Sequence, residues 1–574
     1  MPCYTLHPRA VCAVALPRYK PLCCSNSNAD TYIQCSDMKF DELLFSHLGE
    51  FGRYQKIQFL LVCLPTIFAA MHALSWTFSA AHLPHRCRLA EETDAAEYWT
   101  NSPLLTKVDC DLSVHTELKD CPYTECQLGN MTKCPNGYVF DKSQIHNSAI
   151  NEWEIVCENS IWKAVIQSAY YVGQMFGSLI FGFLGDRIGR KRVFIIAILT
   201  QIICGLAMAV APHWIVYGIL RAGVGFAHPG IFVIAVVIGM ELVGPSKRKI
   251  ASVISGAFFA LGQAALGLIA YYVRDYHHLQ AAIAAPTLVF VVYFWVIPES
   301  ARWLVSQRRF EEADEVLQRA ARMNKTSLPE KWWEEIEITD EKSGGKADLE
   351  RKYNFLDLVR TPKTRMRTIG TFICWPVVSM IYYGVSMNTN FLGGNLYSTF
   401  IFGAVMEIPA LFLVFILIDR IGRKPLLAGG YLIAALCMLS NLVITDDSHW
   451  VISMIQFLVI KGAITGTYAT IYTFTPELFP TVIRNTAMGC CSMIARIGAI
   501  IASYIAMWLV ELHGKKLMIV PFGTAALIAF FAVIFMLPET MGHPLPETIE
   551  QIERGVDPVP SAEMEPLSAK EKEG

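Results

Sequence analysis

Gly182-Phe183-Leu184-Gly185-Asp186-Arg187-Ile188-Gly189-Arg190-Lys191-Arg192 recurs downstream as Leu417-Ile418-Asp419-Arg420-Ile421-Gly422-Arg423-Lys424. Each copy is flanked by apolar runs too long for a soluble core helix, so each is a short charged loop joining two membrane spans. The glycines permit a tight turn, the aspartate can cap a helix or pair with arginine, and the basic cluster holds the loop on the cytoplasmic side. Further echoes follow at nearly the same offset. Arg221 answers Lys461, Glu241 with Pro245 and Arg248 answers Glu477 with Pro480 and Arg484, and Pro298-Glu299-Ser300 answers Pro538-Glu539-Thr540. The chain is a duplication.

Composition agrees. Of 574 residues 53% are hydrophobic and 17% charged, and mean hydropathy is +0.37. That is too apolar for a soluble protein of this size, and it points to a polytopic membrane protein. The formal net charge of −2 gives no global field that would favour a nucleic acid.

Apolar runs of about 20 residues, enough to cross roughly 30 Å of hydrocarbon, predict spans near 57–81, 162–184, 193–211, 214–240, 251–272, 279–297, 368–388, 393–418, 425–444, 449–474, 485–511 and 516–537. These make twelve helices in two sets of six, an all-α membrane protein. Lys and Arg cluster after the second, fourth, sixth and eighth runs, which places both termini in the cytoplasm. The expected organisation is an N-terminal region over 1–56 with a disordered extension, a first half over 57–297, a cytoplasmic linker over 298–367, a second half over 368–537 and a polar tail over 538–574. Translation can start at Met1 or at Met38, which opens an amphipathic stretch.

The segment 82–161 then lies outside the cell. It holds Cys87, Cys110, Cys121, Cys126, Cys134 and Cys157, together with the glycosylation acceptor at Asn130. Six cysteines in an oxidising compartment suggest three disulfides, and sequence cannot choose among the pairings. Zinc is the rival reading, but the spacing lacks paired Cys-x-x-Cys motifs with partner histidines, so no metal is expected. Asn324-Lys325-Thr326 also matches the acceptor pattern, yet it falls on the cytoplasmic side and is expected to go unused. In the linker, Glu311, Glu312, Asp314, Glu315, Arg319 and Arg322 mark an amphipathic helix.

Twelve spans in two halves with the repeated Asp-Arg-x-Gly-Arg loop resemble the major facilitator superfamily. The cysteine-containing loop after span 1, Pro298-Glu299-Ser300-Ala301-Arg302-Trp303-Leu304 after span 6 and Thr475-Pro476-Glu477-Leu478-Phe479-Pro480-Thr481 before span 11 are similar to solute carrier family 22, the organic cation, carnitine and organic anion transporters. The resemblance runs from about Met38 to Thr540. It implies an alternating-access carrier with a polyspecific central cavity between the halves.

An ionisable side chain inside a span costs roughly 2.5–3.5 kcal/mol on insertion scales, so each one is a functional candidate. Glu407 lies 12 residues before Asp419, and Arg496 lies 12 residues after Arg484. Both therefore sit about 18 Å from the cytoplasmic face, near the midplane. Glu407 can attract a cationic nitrogen and Arg496 can grip a carboxylate, or the two can form a self-neutralising structural pair. Lys461 is a third intramembrane charge, able to line the cavity or to pair structurally. Gln263 can bond substrate or a neighbouring helix. Among the span aromatics, Trp375 and Tyr382 share a helix face at i and i+7 and are the favoured cation–π contacts.

The resemblance refines this reading. Classical cation carriers carry an aspartate at the position of Arg496, where carnitine and anion carriers carry arginine. Cation and carnitine carriers keep Glu-x-Pro at Glu407, and anion carriers place a lysine where this chain has Leu411. The pattern implies organic cations and carnitine-like zwitterions as substrates, at the plasma membrane, driven by membrane potential, by a coupling ion such as proton or sodium, or by exchange; an organic anion exchanger is the alternative. Asp186, Arg190, Glu241, Arg248, Asp419, Arg423, Glu477 and Arg484 are expected to act at the cytoplasmic rim as gating charges. No Walker motif, nucleophile-base pair or metal set appears, so the expectation is a carrier with no cofactor, not an enzyme. A receptor or adhesion role for the external loop is disfavoured by the retained rim motifs in both halves.

Overall fold

A computed structural model of the chain describes residues 47–554 apart from 94–95, 101, 107–122, 130–132, 245–246, 330, 334–354, 390–394, 443–449, 544–545 and 547. Among the described residues it is helical, with one short two-stranded antiparallel sheet. The spanning helices are α1 (Arg53–Ser79), α2 (Ile161–Ile188), α3 (Arg190–Met208), α4 (Trp214–Leu242), α5 (Arg248–Tyr272), α6 (Tyr276–Val296), α7 (Pro362–Met387), α8 (Leu396–Ile421), α9 (Arg423–Ser440), α10 (Trp450–Leu478), α11 (Val482–His513) and α12 (Lys516–Met536). Ten of these are long and apolar enough to cross a membrane by length and composition. The other two are α2 and α9. The first carries Lys163, Gln167, Gln174, Asp186 and Arg187 within its length, and the second opens on Arg423-Lys424. The helices start and stop within a few residues of the runs read from the sequence, and the larger extensions are the polar end turns of α2, α7 and α10.

The repeat is visible in the backbone. Gly189 and Gly422, the glycines of the two copies, adopt φ +102° and +103°. A left-handed residue there turns the chain sharply from one helix into the next, and only glycine does so without strain. At Gly422 a Cβ would also lie 2.7 Å from Glu539 Oε2. Within the first half, Gly173 and Gly177 bring α2 against α4 backbone to backbone: a Cβ at either would meet the carbonyl oxygen of Ala222 or Phe226 at 2.0–2.1 Å. Small residues four apart allow this approach, the common device for membrane helices that gain little from apolar burial.

The described residues form two compact units, one drawn from 1–62, 237–252 and 297–352 and the other from the remainder. In the smaller unit, the helix Phe310–Asn324 buries Ala313, Leu317, Ala320 and Ala321 against Leu48, Tyr54, Trp303, Leu304 and Trp332. This is the amphipathic helix expected in the linker, with its charges outward. Asn324 ends it and ties it down. Its Nδ2 donates to Leu48 O at 3.1 Å and Gln55 Oε1 at 2.9 Å, and its Oδ1 accepts from Tyr54 N at 2.9 Å. The second acceptor asparagine thus has a structural task.

The larger unit holds most of the spans and the loop after α1. There, His85–Cys87 pairs antiparallel with Tyr138–Phe140. Disulfides join Cys87 to Cys134 and Cys126 to Cys157. Cys110, Cys121 and Asn130 lie outside the described residues. His85 Nε2 approaches the sulfurs of Cys126 and Cys157 at 3.7 and 3.6 Å, but these sulfurs are bonded to each other and offer no thiolate to a metal.

Candidate transport site

Four helices, α5, α7, α8 and α10, build a shell around the intramembrane pair Glu407 and Lys461. Lys461 on α10 places Nζ 2.7 Å from Glu407 Oε1 on α8, and both side chains are all but sealed from solvent. Tyr382 on α7 donates to Glu407 at 2.9 Å, and Gln263 on α5 donates to Glu407 Oε2 and to Tyr382 OH, each at 3.0 Å. Lys461 also donates to Ser386 Oγ and stands 4.1 Å from the centre of the Tyr382 ring. A buried carboxylate survives in an apolar interior only when paired and saturated with donors, and Glu407 is.

Arg496 lies apart. Glu407 pairs with Lys461, which replaces the Glu407–Arg496 pair open in the sequence. Arg496 is 5% exposed, its Nη1 is 3.5 Å from Tyr383 OH, and its Nε has no hydrogen-bond partner. No carboxylate pairs with it among the described residues. Tyr382 bonds Glu407 and its chain neighbour Tyr383 bonds Arg496, so the two charges stand at matching height along α7. Their common depth was read from the count of 12 residues on each helix.

Between them lies an aromatic group. Tyr468 is 5.3 Å from Tyr382 and 5.5 Å from Tyr472 between ring centres, and Trp375 is 4.7 Å from Tyr472. Trp375 is anchored by Nε1 donating to Thr475 Oγ1 at 3.0 Å. Tyr171 of α2 reaches Tyr383 at 4.9 Å, so both halves contribute rings. Such faces attract a quaternary or protonated nitrogen, and tyrosine hydroxyls add polar handles. Lys461 neutralises Glu407, so the local charge left over is the positive one of Arg496.

The rim residues of the larger unit lie at its end that carries the repeated loops. Arg423 Nη1 is 3.2 Å from Asp419 Oδ1, and its Nε is 3.1 Å from Glu477 Oε2. Glu539 caps α9 by accepting from the backbone N–H groups of Arg423 and Lys424, both at 3.0 Å. In the first half Arg190 Nη2 is 3.1 Å from Asp186 Oδ1. Arg484 donates to the carbonyls of Phe479 and Pro546. In the smaller unit, Glu241 accepts through its carbonyl from Arg302 Nε at 3.1 Å. Arg248 opens α5, and its side chain lies outside the described residues.

A second charged cluster stands at the opposite end of the bundle, and sequence reasoning missed it. Lys163 Nζ on α2 is 2.6 Å from Glu511 Oε2 on α11; His82 Nε2 is 2.9 Å from Glu125 Oε1, and its Nδ1 is 3.6 Å from Glu511 Oε1. Burial opposes the charged form of each histidine. It prevails at His85, whose pKa is lowered, while the carboxylates of Glu125 and Glu511 hold His82 up to about 9. The signal available beforehand was an acid and a lysine at the same-side ends of spans from different halves.

Residues 115–552 match the family of sugar and other transporters. The Organic cation transporter protein of Drosophila melanogaster is 37% identical over 548 residues, covering 94% of this chain and 99% of that protein. Solute carrier family 22 member 6-B of Xenopus laevis is 33% identical over 534 residues, covering 90% and 95%. The partially occluded, inward-open xylose transporter XylE of E. coli superposes with a TM-score of 0.58 at 14% identity, over 85% of this chain and 100% of that one, a likeness of fold. With twelve spanning helices built on a repeated loop, this chain is a transporter and belongs to solute carrier family 22 of the major facilitator superfamily.

Proposed function

We propose that the protein carries organic cations and carnitine-like zwitterions across the plasma membrane by alternating access, with both termini in the cytoplasm. The observation that carries this reading is the pairing of an acid with a lysine beside an aromatic group and an unpaired arginine. A cationic nitrogen entering among Trp375, Tyr382 and Tyr468 competes with Lys461 for Glu407. The carboxylate of a zwitterion has Arg496 at the other end of the same rings. Gln263 holds Glu407 and Tyr382 in register across the helices. In this reading the residues at the two ends act as gates: Asp186, Arg190, Asp419, Arg423, Glu477 and Arg484 at the cytoplasmic rim, with Glu241 and Arg248 in the same role, and the His82–Glu511 cluster outside.

The organic-cation part of the proposal draws support from relatives named for that activity. Arg496, with no carboxylate beside it, favours a second reading as an organic anion exchanger. Lys461 weakens that reading, because its charge is spent on Glu407 and does not add to the attraction. The driving force is membrane potential, a coupled proton or sodium ion, or exchange.

Side-by-side uptake of labelled tetraethylammonium, carnitine and p-aminohippurate in cells expressing the chain separates the readings. Entry of the first two above untransfected cells is expected. Entry of p-aminohippurate alone would replace the proposal with the anion exchanger.

A further inference from the structure

The first half contains a buried cation that the transport site does not use. Arg221 on α4 is fully buried. Its Nε and Nη2 both donate to Gln167 Oε1 on α2, at 3.2 and 2.6 Å, and its Nη1 donates to Ser75 Oγ at 3.2 Å. The guanidinium lies 5.5 Å from the ring centre of Trp76 and 5.3 Å from that of Tyr170.

The second half shows what is missing. Lys461 is the counterpart of Arg221 in the repeat, and it too bonds a serine, Ser386 on α7, and a side chain of α8. That side chain is Glu407. Around Arg221 the same place is filled by an amide, Gln167, and no carboxylate pairs with the guanidinium among the described residues. Rings and a neutral amide oxygen soften the cost of the charge without cancelling it.

The polar atoms left over around Arg221 are hydrogen-bond donors. A guanidinium has five N–H groups, and the contacts to Gln167 and Ser75 engage three. Gln167 Nε2, in the same amide that holds the arginine, is buried beside the hydroxyl of Tyr171. The hydroxyl of Tyr217, one helical turn before Arg221 and 5.2 Å from Trp76 between ring centres, is buried beside Ser79 and the guanidinium. A buried guanidinium with N–H groups to spare, polar side chains around it and no carboxylate beside it makes a receptor for an anion.

We propose that Arg221, Gln167 and Tyr217 form an anion site in the first half, separate from Arg496, that takes a small monovalent anion: chloride, or a carboxylate of the size of acetate. The site supplies from solution the charge that Glu407 supplies in the second half.

The test is thermal unfolding of the purified full chain in detergent, with chloride or acetate replacing the bulky gluconate at constant ionic strength. Wild type is expected to gain about 2 °C or more in midpoint as the anion binds the folded state. Gln167→Glu builds the counter-charge in place and should abolish the gain, while Arg496→Ala should retain it. A gain with chloride alone assigns an inorganic anion, and a gain with acetate as well assigns a carboxylate. If wild type shows no gain, or Gln167→Glu keeps it in full, the site does not exist. Loss of the gain in Arg496→Ala would place the anion at the transport site instead.

Discussion

Lys461 Nζ and Glu407 Oε1 meet at 2.7 Å with side chains 2% and 3% exposed, and around them Tyr382 and Gln263 complete the shell of the carboxylate. Removing one member of such a pair strands the other charge at a cost of about 3–5 kcal/mol, whereas removing both can be nearly neutral. Glu407→Gln and Lys461→Met are each expected to lower the thermal midpoint in detergent, and the double variant to recover most of the loss. Additive losses would mean that the pair is not coupled.

Arg496 is expected to act on the carboxylate end of substrate. A charge-assisted hydrogen bond contributes about 1.5–3 kcal/mol, so Arg496→Ala should raise the KM for carnitine roughly 10- to 150-fold. Tetraethylammonium, which has no carboxylate, should keep its KM. Equal damage to both substrates would assign Arg496 to the fold.

The duplication was legible because the repeated loop is a local motif whose glycines must turn the chain, and Gly189 and Gly422 do so at matching positive φ. Span positions were legible because crossing hydrocarbon fixes a minimum apolar length. Partner choice was not. Glu407 could be placed at the depth of Arg496 by counting along helices, but which cation it meets depends on how α8, α10 and α11 rotate about their axes. That rotation is set by packing, and a single sequence carries little trace of it. The pairing of Lys163 with Glu511, 348 residues apart, was hidden for the same reason.

Arg423 bridges Asp419 and Glu477 at the loop-bearing end of the bundle, far along α8 from Glu407. A gate charge sets how often the carrier cycles, and it does not touch substrate. Asp419→Asn and Asp186→Asn should therefore lower the maximal rate of uptake and leave KM unchanged. A change in KM alone would move these residues into the binding site.

His82 makes the opposite end sensitive to pH. Held up to about 9 by Glu125 and Glu511, it stays charged in the assembled cluster where an unpaired histidine, with a pKa near 6.5, would be neutral. The stabilisation is fully present below about pH 6.5 and is lost as pH rises through about 9. The His82 side chain is 45% exposed, so solvent screening keeps the effect below about 1 kcal/mol. The difference in thermal midpoint between wild type and His82→Gln should therefore shrink between pH 7 and pH 9.5. A difference that stays constant would show that the charge of His82 does not matter.

The most direct test of the account asks whether Glu407 is the seat of the cation. The variant to use is the double Glu407→Gln, Lys461→Met, which keeps the buried site neutral and the fold intact, with its surface expression matched to wild type. Initial-rate uptake of tetraethylammonium should fall to the level of untransfected cells. Uptake at the wild-type rate would contradict the account, because the carboxylate would then serve only the packing of the helices.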